Sequence, residues 1–427
     1  MLFRRELTEP LDSLGNEHTF ARAVAEVVGS LDLRDSDWEA ISGYNLYSDL
    51  APPDEALRLI RTLATFIKNQ DRFPAENAAD PAESTRVIRP PKGTTRQKTK
   101  SVSQGVVVIG AGDYARTQII PALQRAGLAL NSVVDLEPYL ADYTRRRFGF
   151  KQAYTDWQQA ISQSEASLVV VASYHDSHAK IAAAALNAGK KVFLEKPPAV
   201  TREDLRLLLE AANGSDRFLE IGYNRRFAPF TQKAKQLLDE VSGPTSITCL
   251  VKEVDIPDQH WYRWPKEWTR ISGNLCHWID LSVYLLGADC DPVEMIVTGP
   301  HLSHQDDEKG LNVIFRDGSS LSIVASSRGD STLGVQELIE IRRGCLTIEL
   351  DDYRRLFATA GGKVLCRVRT LRNKGHAAMY KETLTRIRKN LPALYTSREL
   401  ELSTRMTINA TEMIRKGQRS RTLSGNE

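Results

Sequence analysis

Cysteine is scarce in this chain of 427 residues. The five thiols (Cys249, Cys276, Cys290, Cys345, Cys366) are odd in number, dispersed and never spaced C-x-x-C. That excludes a disulfide-built scaffold and a cysteine zinc site, and it predicts reduced thiols in a cytoplasmic protein. Long apolar runs are also missing, so no bilayer span is expected. Nor is there a surplus of one charge: 57 basic against 54 acidic side chains leave +3. Nothing global therefore points to nucleic acid or a membrane surface. The opening Met1 to Leu7 lacks the apolar core and cleavage site of a secretory leader. His301 and His304 form an H-x-x-H with no cysteine or further histidine close by to complete a site, so no metal is expected.

What is present is ordinary for a soluble globular protein, with 41% hydrophobic and 26% charged residues. The length predicts two large domains plus an extension. Over residues 1–75, Phe20, Val24, Val27, Val28 and Leu31 recur at helical spacing, as do Leu57, Ile60, Leu63, Ala64 and Ile67 after Pro52-Pro53-Asp54. This helical extension either packs onto the main body or a second subunit, or docks a protein partner. Residues 76–103 lose the periodicity and hold six basic side chains and no acid between Arg86 and Lys100, which predicts a flexible linker. The tail Arg415 to Arg421 has the same character.

The stretch 104–115 changes the picture. Val106 to Ile109 is a short β-branched run of the kind buried on both faces of a sheet. Gly110, Gly112 and Ala115 follow in G-x-G-x-x-A spacing, with helical periodicity from Arg116 to Ala126. Strand, glycine turn and helix make the first half of a dinucleotide-binding unit. The first glycine permits the turn, the second lets the backbone approach a pyrophosphate, and the alanine lets helix and strand pack closely. A second apolar run ends at Asp135, about 20 residues on, where a ribose-binding carboxylate belongs. Leu136 and Glu137 follow it with no adjacent base for a 2′-phosphate. NAD is therefore expected, with NADP the alternative through Arg145, Arg146 and Arg147.

Strand and helix patterns alternate to about residue 227: strands at Leu168–Ala172, Lys191–Leu194 and Phe218–Ile221, helices at Ala179–Ala188 and Arg202–Ala212. These predict an α/β, doubly wound parallel sheet over 104–227. Ligands bind outside the carboxyl ends of such strands. Ser173-Tyr174-His175, Glu195-Lys196-Pro197 and Tyr223-Asn224-Arg225-Arg226 stand there. From 228 to 427 the pattern becomes a helix at Pro229–Val241 followed by strands at Ser246–Val254, Val293–Thr298, Leu311–Phe315, Ser319–Ala325, Gln336–Arg342 and Cys345–Leu350. With a helix at Leu275–Leu286 and two more after 376, this predicts an α+β second domain on a largely antiparallel sheet.

These motifs resemble, in order, those of the glucose–fructose oxidoreductase, inositol dehydrogenase and rhizopine-catabolism (Gfo/Idh/MocA) family over about residues 104–420. The carriers are Gly110-Ala111-Gly112-Asp113-Tyr114-Ala115, His178 of Asp176-Ser177-His178, Glu195-Lys196-Pro197, Gly222-Tyr223-Asn224-Arg225-Arg226-Phe227, Ser272 to Asp280 with its H-x-x-D, and Lys374-Gly375-His376. The resemblance implies a Rossmann domain joined to an open-faced antiparallel sheet, and NAD(P)-dependent oxidation or reduction of sugars or cyclitols. It also implies a homo-oligomer formed through the outer sheet face. Around the cofactor it implicates Gly110, Gly112, Asp113, Tyr114, Ala115, Asp135, Ser173, His178, Glu195 and Lys196. Two departures stand out: Gly273 replaces an Asp that many members carry four residues before the His, and Asn274 replaces the Glu that a related branch carries three before it. Ser173-Tyr174-His175 also replaces the usual Thr-Pro-Asn type turn.

Hydride transfer from an alcohol needs a proton acceptor and positive charge at the developing oxyanion. His277 suits the first role and Lys196 the second. Asp280, one helical turn from His277, either orients the imidazole or satisfies groups between the domains. Asn274 shares that face but cannot stabilise an imidazolium as a carboxylate does, so reduction is as open as oxidation. Tyr223, Asn224, Arg225, His260 and Trp261 are candidate substrate contacts, with packing and domain bridging the alternatives. Two other functions stay open: dinucleotide binding or partner recruitment without turnover, and imine or enone reduction in a biosynthetic pathway.

Overall fold

A computed structural model describes residues 105–214, 217–256, 270–299 and 308–423. The expected helices of 1–75, the linker, His260, Trp261, His301 and His304 lie outside the described residues.

The first sheet holds β1 (Gly105–Ile109), β2 (Ala129–Val134), β3 (Gln152–Tyr154), β4 (Leu168–Val171), β5 (Lys191–Leu194) and β6 (Leu219–Ile221) in the order β3-β2-β1-β4-β5-β6, all parallel. Its apolar runs alternate between two cores. Val107 and Ile109 face α4 (His175–Asn187) and α5 (Arg202–Ala212), while Val106 and Val108 face Ile119 and Leu123 around α1 (Ile120–Arg125). Between β2 and β4, α2 (Pro138–Phe148) and α3 (Trp157–Gln163) complete the crossovers. The strand order reverses between β1 and β4, which opens the crevice where such sheets bind ligands.

The second sheet has nine strands in the order β14-β13-β12-β11-β7-β10-β9-β8-β15. They are β7 (Thr245–Lys252), β8 (Pro292–Thr298), β9 (Lys309–Phe315), β10 (Ser320–Ser326), β11 (Gln336–Arg343), β12 (Leu346–Asp351), β13 (Arg355–Ala360), β14 (Lys363–Arg369) and β15 (Ser420–Thr422). The expected antiparallel pattern holds except between β7 and β10, which run parallel. One face packs on α6 (Pro229–Asp239), α7 (Cys276–Leu286) and α9 (Ser397–Arg415); the other is open. The tail expected to be flexible instead contributes β15, which pairs with Glu294 to Ile296 of β8 and completes that edge.

The closing helices join the two layers. Met379, Tyr380, Leu384 and Ile387 of α8 (His376–Lys389) enter the first sheet's core, beside Val106 and Phe193. α9, started by a capping box between Thr396 and Glu399, faces both ways: Leu400 and Ile408 pack with the first sheet, Leu402 and Met406 with the second.

Candidate active site

The turn after β1 is fixed by the residues the motif requires. Gly110 has φ +96, and a Cβ there would lie 2.2 Å from the Ala172 carbonyl oxygen. A Cβ on Gly112 would meet nothing within 4 Å, so the space above that backbone is free for a phosphate. Ala115 is buried and begins a π-helical turn, Ala115–Ile119, that leads into α1. Asp113 is exposed and pairs with Arg116. The Asp135 carboxylate is held at this turn, accepting from the Ala111 N–H (2.8 Å) and the Glu137 N–H (3.0 Å). Arg145 and Arg146 pair with Asp142 on their own helix.

At the next two strand ends, Ser173 shares a 2.7 Å hydrogen bond with Ser177. The buried His178 ring lies with one nitrogen 2.9 Å from the Ser173 carbonyl and the other 2.9 Å from the Pro197 carbonyl, which ties the turns after β4 and β5 together. Burial pushes its pKa below the usual imidazole range. Glu195 is enclosed, and burial raises its carboxyl to about 7. Gly222 makes room for it, because a Cβ there would sit 2.7 Å from its Oε2. The Tyr380 hydroxyl lies 3.5 Å from Glu195 and 3.2 Å from the Tyr114 hydroxyl, so α8 links the glycine turn to the turn after β5.

Lys196 reaches across the crevice to the second domain, where its Nζ donates to the Gly273 carbonyl at 2.7 Å. That carbonyl belongs to a second π-helical turn, Ile271–Leu275, immediately before α7. Both π turns border the crevice, a common placement for this distortion. His277, in the first turn of α7, lies with its ring edge against Tyr223 at 5.9 Å. Its Nδ1 is buried with no hydrogen-bond partner among the described residues. Burial, then the charges of Arg225 and Lys196, push its pKa well below 6.5, so the imidazole is neutral at working pH. Asn274 donates from Nδ2 to Glu253 at 2.9 Å, and its Oδ1 is left without a partner among the described residues.

Several candidate substrate contacts have partners within the protein, in line with the packing and bridging alternatives. Arg225 is a buried ion-pair residue: Nε and Nη2 donate to Glu337 at 2.7 and 2.8 Å. Asp280 does not orient His277. It accepts from Nε and Nη2 of Arg226, each at 2.7 Å, and from the Tyr395 hydroxyl at 2.6 Å. Asn224 donates to the Lys374 carbonyl at 2.7 Å, and the buried Tyr223 ring stacks on Tyr395. Buried polar groups need such partners, and Arg225, Asp280 and Asn224 have found them across the domain junction.

Glu253, Glu337 and Tyr380, which the sequence did not single out, complete the site together with Lys374 and His376, which entered only as part of a family-like motif. Glu253, just past β7, is buried beside Arg270 (3.3 Å). Glu337, on β11, also accepts from Lys374 (2.7 Å) and from the Trp278 indole (2.8 Å). His376, at the start of α8, faces the Tyr114 ring at 6.5 Å, and burial lowers its pKa to about 4. A sequence signal existed for two of them. Glu253 and Glu337 continue the inward-facing register of their strands, with Val251 and Ile339, where apolar residues are expected.

Comparison with known proteins agrees with this geometry. Residues 104–223 match the GFO_IDH_MocA family, described as an oxidoreductase family with an NAD-binding Rossmann fold. A levoglucosan dehydrogenase of Pseudarthrobacter phenanthrenivorans is 32% identical over 108 residues, 25% of this chain and 28% of that protein. An inositol 2-dehydrogenase of Salmonella typhimurium is 30% identical over 232 residues, 50% of this chain and 66% of that protein. The chain thus spans less than two thirds of either relative's length. A solved levoglucosan dehydrogenase in complex with NADH superposes with a TM-score of 0.65 at 18% identity, covering 75% of this chain and 99% of that one, and so shares its fold. Over residues 104–223 the chain thus matches the Gfo/Idh/MocA oxidoreductase family and its NAD-binding Rossmann fold.

Proposed function

We propose that the protein is an NAD-dependent oxidoreductase that moves a hydride between its cofactor and a hydroxyl-bearing or carbonyl carbon of a sugar-like or cyclitol substrate. One observation carries this reading. Lys196 and His277 come from different domains and meet at the carboxyl end of β5, in the crevice whose glycine turn and Asp135 suit a dinucleotide. The bound nicotinamide supplies the hydride chemistry. Lys196 donates to the reacting oxygen and stabilises its negative charge as the carbon changes oxidation state. His277, neutral and with Nδ1 unpartnered among the described residues, takes the hydroxyl proton. Burial, with the surrounding cations, makes it a weak base, so the acid limb of kcat/KM for oxidation falls well below pH 6.5. The absence of a base after Asp135, with Arg145 and Arg146 paired to Asp142, supports NAD over NADP.

Exposed Leu250, Val324 and Leu338 lie side by side on adjacent strands of the open sheet face, which supports pairing of copies there. Light scattering is expected to give more than one chain per particle; a monomer contradicts it.

The functional test combines NADH fluorescence quenching with turnover on a panel of sugars, cyclitols and carbonyl compounds. Lys196→Ala is expected to lower kcat by about 10²–10³-fold while quenching persists. His277→Ala is expected to cost about 10²–10⁴-fold. Quenching without turnover of any panel member would instead mark a binding protein. Turnover confined to C=N or conjugated C=C compounds would mark a biosynthetic reductase.

A further inference from the structure

The cation-rich end of the crevice is built for a ligand of opposite charge. Glu337 is fully enclosed and accepts from Arg225 and Lys374 as well as from the Trp278 indole, so one carboxylate answers two cations. The π turn Ile271–Leu275 holds Gly273 and Asn274, and no carboxylate enters the crevice from that turn. Asn274 instead turns its amide to Glu253, which also faces Arg270. Net positive charge in a low-dielectric interior is costly unless an anion joins it.

The members of the cluster differ in access. The Lys374 side chain is 14% exposed, against 7% for Arg225 and 0% for Glu337. Immediately after Lys374 the chain turns at Gly375 (φ +90). A Cβ on Gly375 would lie 2.4 Å from the Asn224 carbonyl oxygen and 2.5 Å from the Ala228 amide nitrogen, so the start of α8 is pinned against the turn after β6. α8 runs for 14 residues; the Gly375 N–H at its start donates to Asn373 Oδ1 at 3.0 Å, and glycine offers no side chain to cap the N–H groups that follow. Its first N–H groups have no acceptor within the helix and add partial positive charge beside Lys374. His376, facing Tyr114 of the glycine turn, places this end of α8 next to the cofactor crevice.

Resting on the dehydrogenase reading above, we propose that the substrate carries an oxyanion, a carboxylate or a phosphoryl group, on its sugar-like frame, and that this group docks at Lys374 and the first turn of α8 beside His376. The reacting carbon then lies toward Lys196 and His277, and the charged substituent points away from them.

The test uses the full chain with NAD or NADH and matched substrates: glucose, glucuronate and glucose 6-phosphate, then galactose and galacturonate. Turnover and the melting-temperature shift with cofactor present are both recorded. One anionic member is expected to exceed its neutral parent in kcat/KM by about ten- to a hundredfold, the span of a charge-assisted hydrogen bond, and the preference should narrow as salt rises. Comparing glucuronate with glucose 6-phosphate separates the two oxyanions. Lys374→Gln is expected to raise KM for the anion and erase the preference, while Lys374→Arg keeps the charge and retains it. Equal or better use of the neutral parents overturns the proposal. So does a preference that survives in Lys374→Gln, or a lack of any response to all five compounds by a protein that binds NADH. Absence of NADH quenching would instead remove the dehydrogenase reading on which the proposal stands.

Discussion

Arg225 and Arg226 are neighbours in one short turn, Asn224–Phe227, yet they anchor clusters of opposite balance. Arg226 meets two carboxylates, Asp280 at 2.7 Å and Glu399 at 2.5 Å, with the Tyr395 ring 4.2 Å from its guanidinium carbon. Arg225 shares one carboxylate, Glu337, with Lys374. The first cluster joins the turn after β6 to α7 and α9 and is sealed. The second borders the crevice and keeps positive charge in excess. Burial of an ionic group therefore does not by itself identify a structural role; the ratio of cations to anions and the access to the crevice separate a weld from a site.

Breaking the sealed cluster should have the larger effect. Asp280→Ala leaves Arg226 buried with one of its carboxylates gone, which is expected to cost about 3–5 kcal/mol of stability, measured by urea unfolding. NADH affinity per folded molecule should be unchanged. If Asp280 served substrate instead, stability would hold and KM would rise.

A smaller effect distinguishes the clusters by pH. Glu337 is held at about 2 against an ordinary 4.5, because Arg225 and Lys374 outweigh its burial. The unfolded chain therefore binds more protons than the folded one in that window. The stabilisation is complete above pH 4.5 and is lost as pH falls toward 2, about 3 kcal/mol in all. His376, lowered from 6.5 to about 4 by burial, adds a loss that begins near pH 6.5 as acid is added. Asp280 is shifted the other way, upward, by burial, while Arg226 holds Glu399 below the usual carboxylate range, so the two carboxylates of the sealed cluster oppose each other in acid. Urea titrations between pH 7 and pH 3 should show stability falling with acid, and Glu337→Gln should flatten the part of the slope below about pH 4.5. An unchanged slope in that variant contradicts the assignment.

Local motifs made the cofactor half of this site legible. Gly110, Gly112, Asp135 and Glu195-Lys196-Pro197 each sit at a strand end, and their meaning depends on a few neighbouring residues. The other half was read less well because its parts are remote. Glu253, Glu337 and Lys374 lie just past β7, on β11 and before α8, and only the packing of those elements brings them together. For the two glutamates the signal was an acid in an inward register, which an apolar pattern search passes over. The sequence also led to substrate roles for Arg225 and Asp280, because a charged residue near a ligand site looks the same before its partner is known. Strands β13 and β14 escaped notice for another reason. β14 is an edge strand with nearly every side chain at least partly exposed, so it lacks the alternation that marks a half-buried strand.

The most direct test of the cofactor crevice is NADH titration of Gly112→Ala beside the parent protein. The added methyl would meet no protein atom within 4 Å, so folding should be untouched and the melting temperature equal to the parent's. It occupies the space assigned to the pyrophosphate, so NADH affinity should fall about tenfold or more, the cost of losing a close backbone–phosphate approach. Equal quenching by parent and variant, or none by the parent, would contradict the placement of a dinucleotide on this turn.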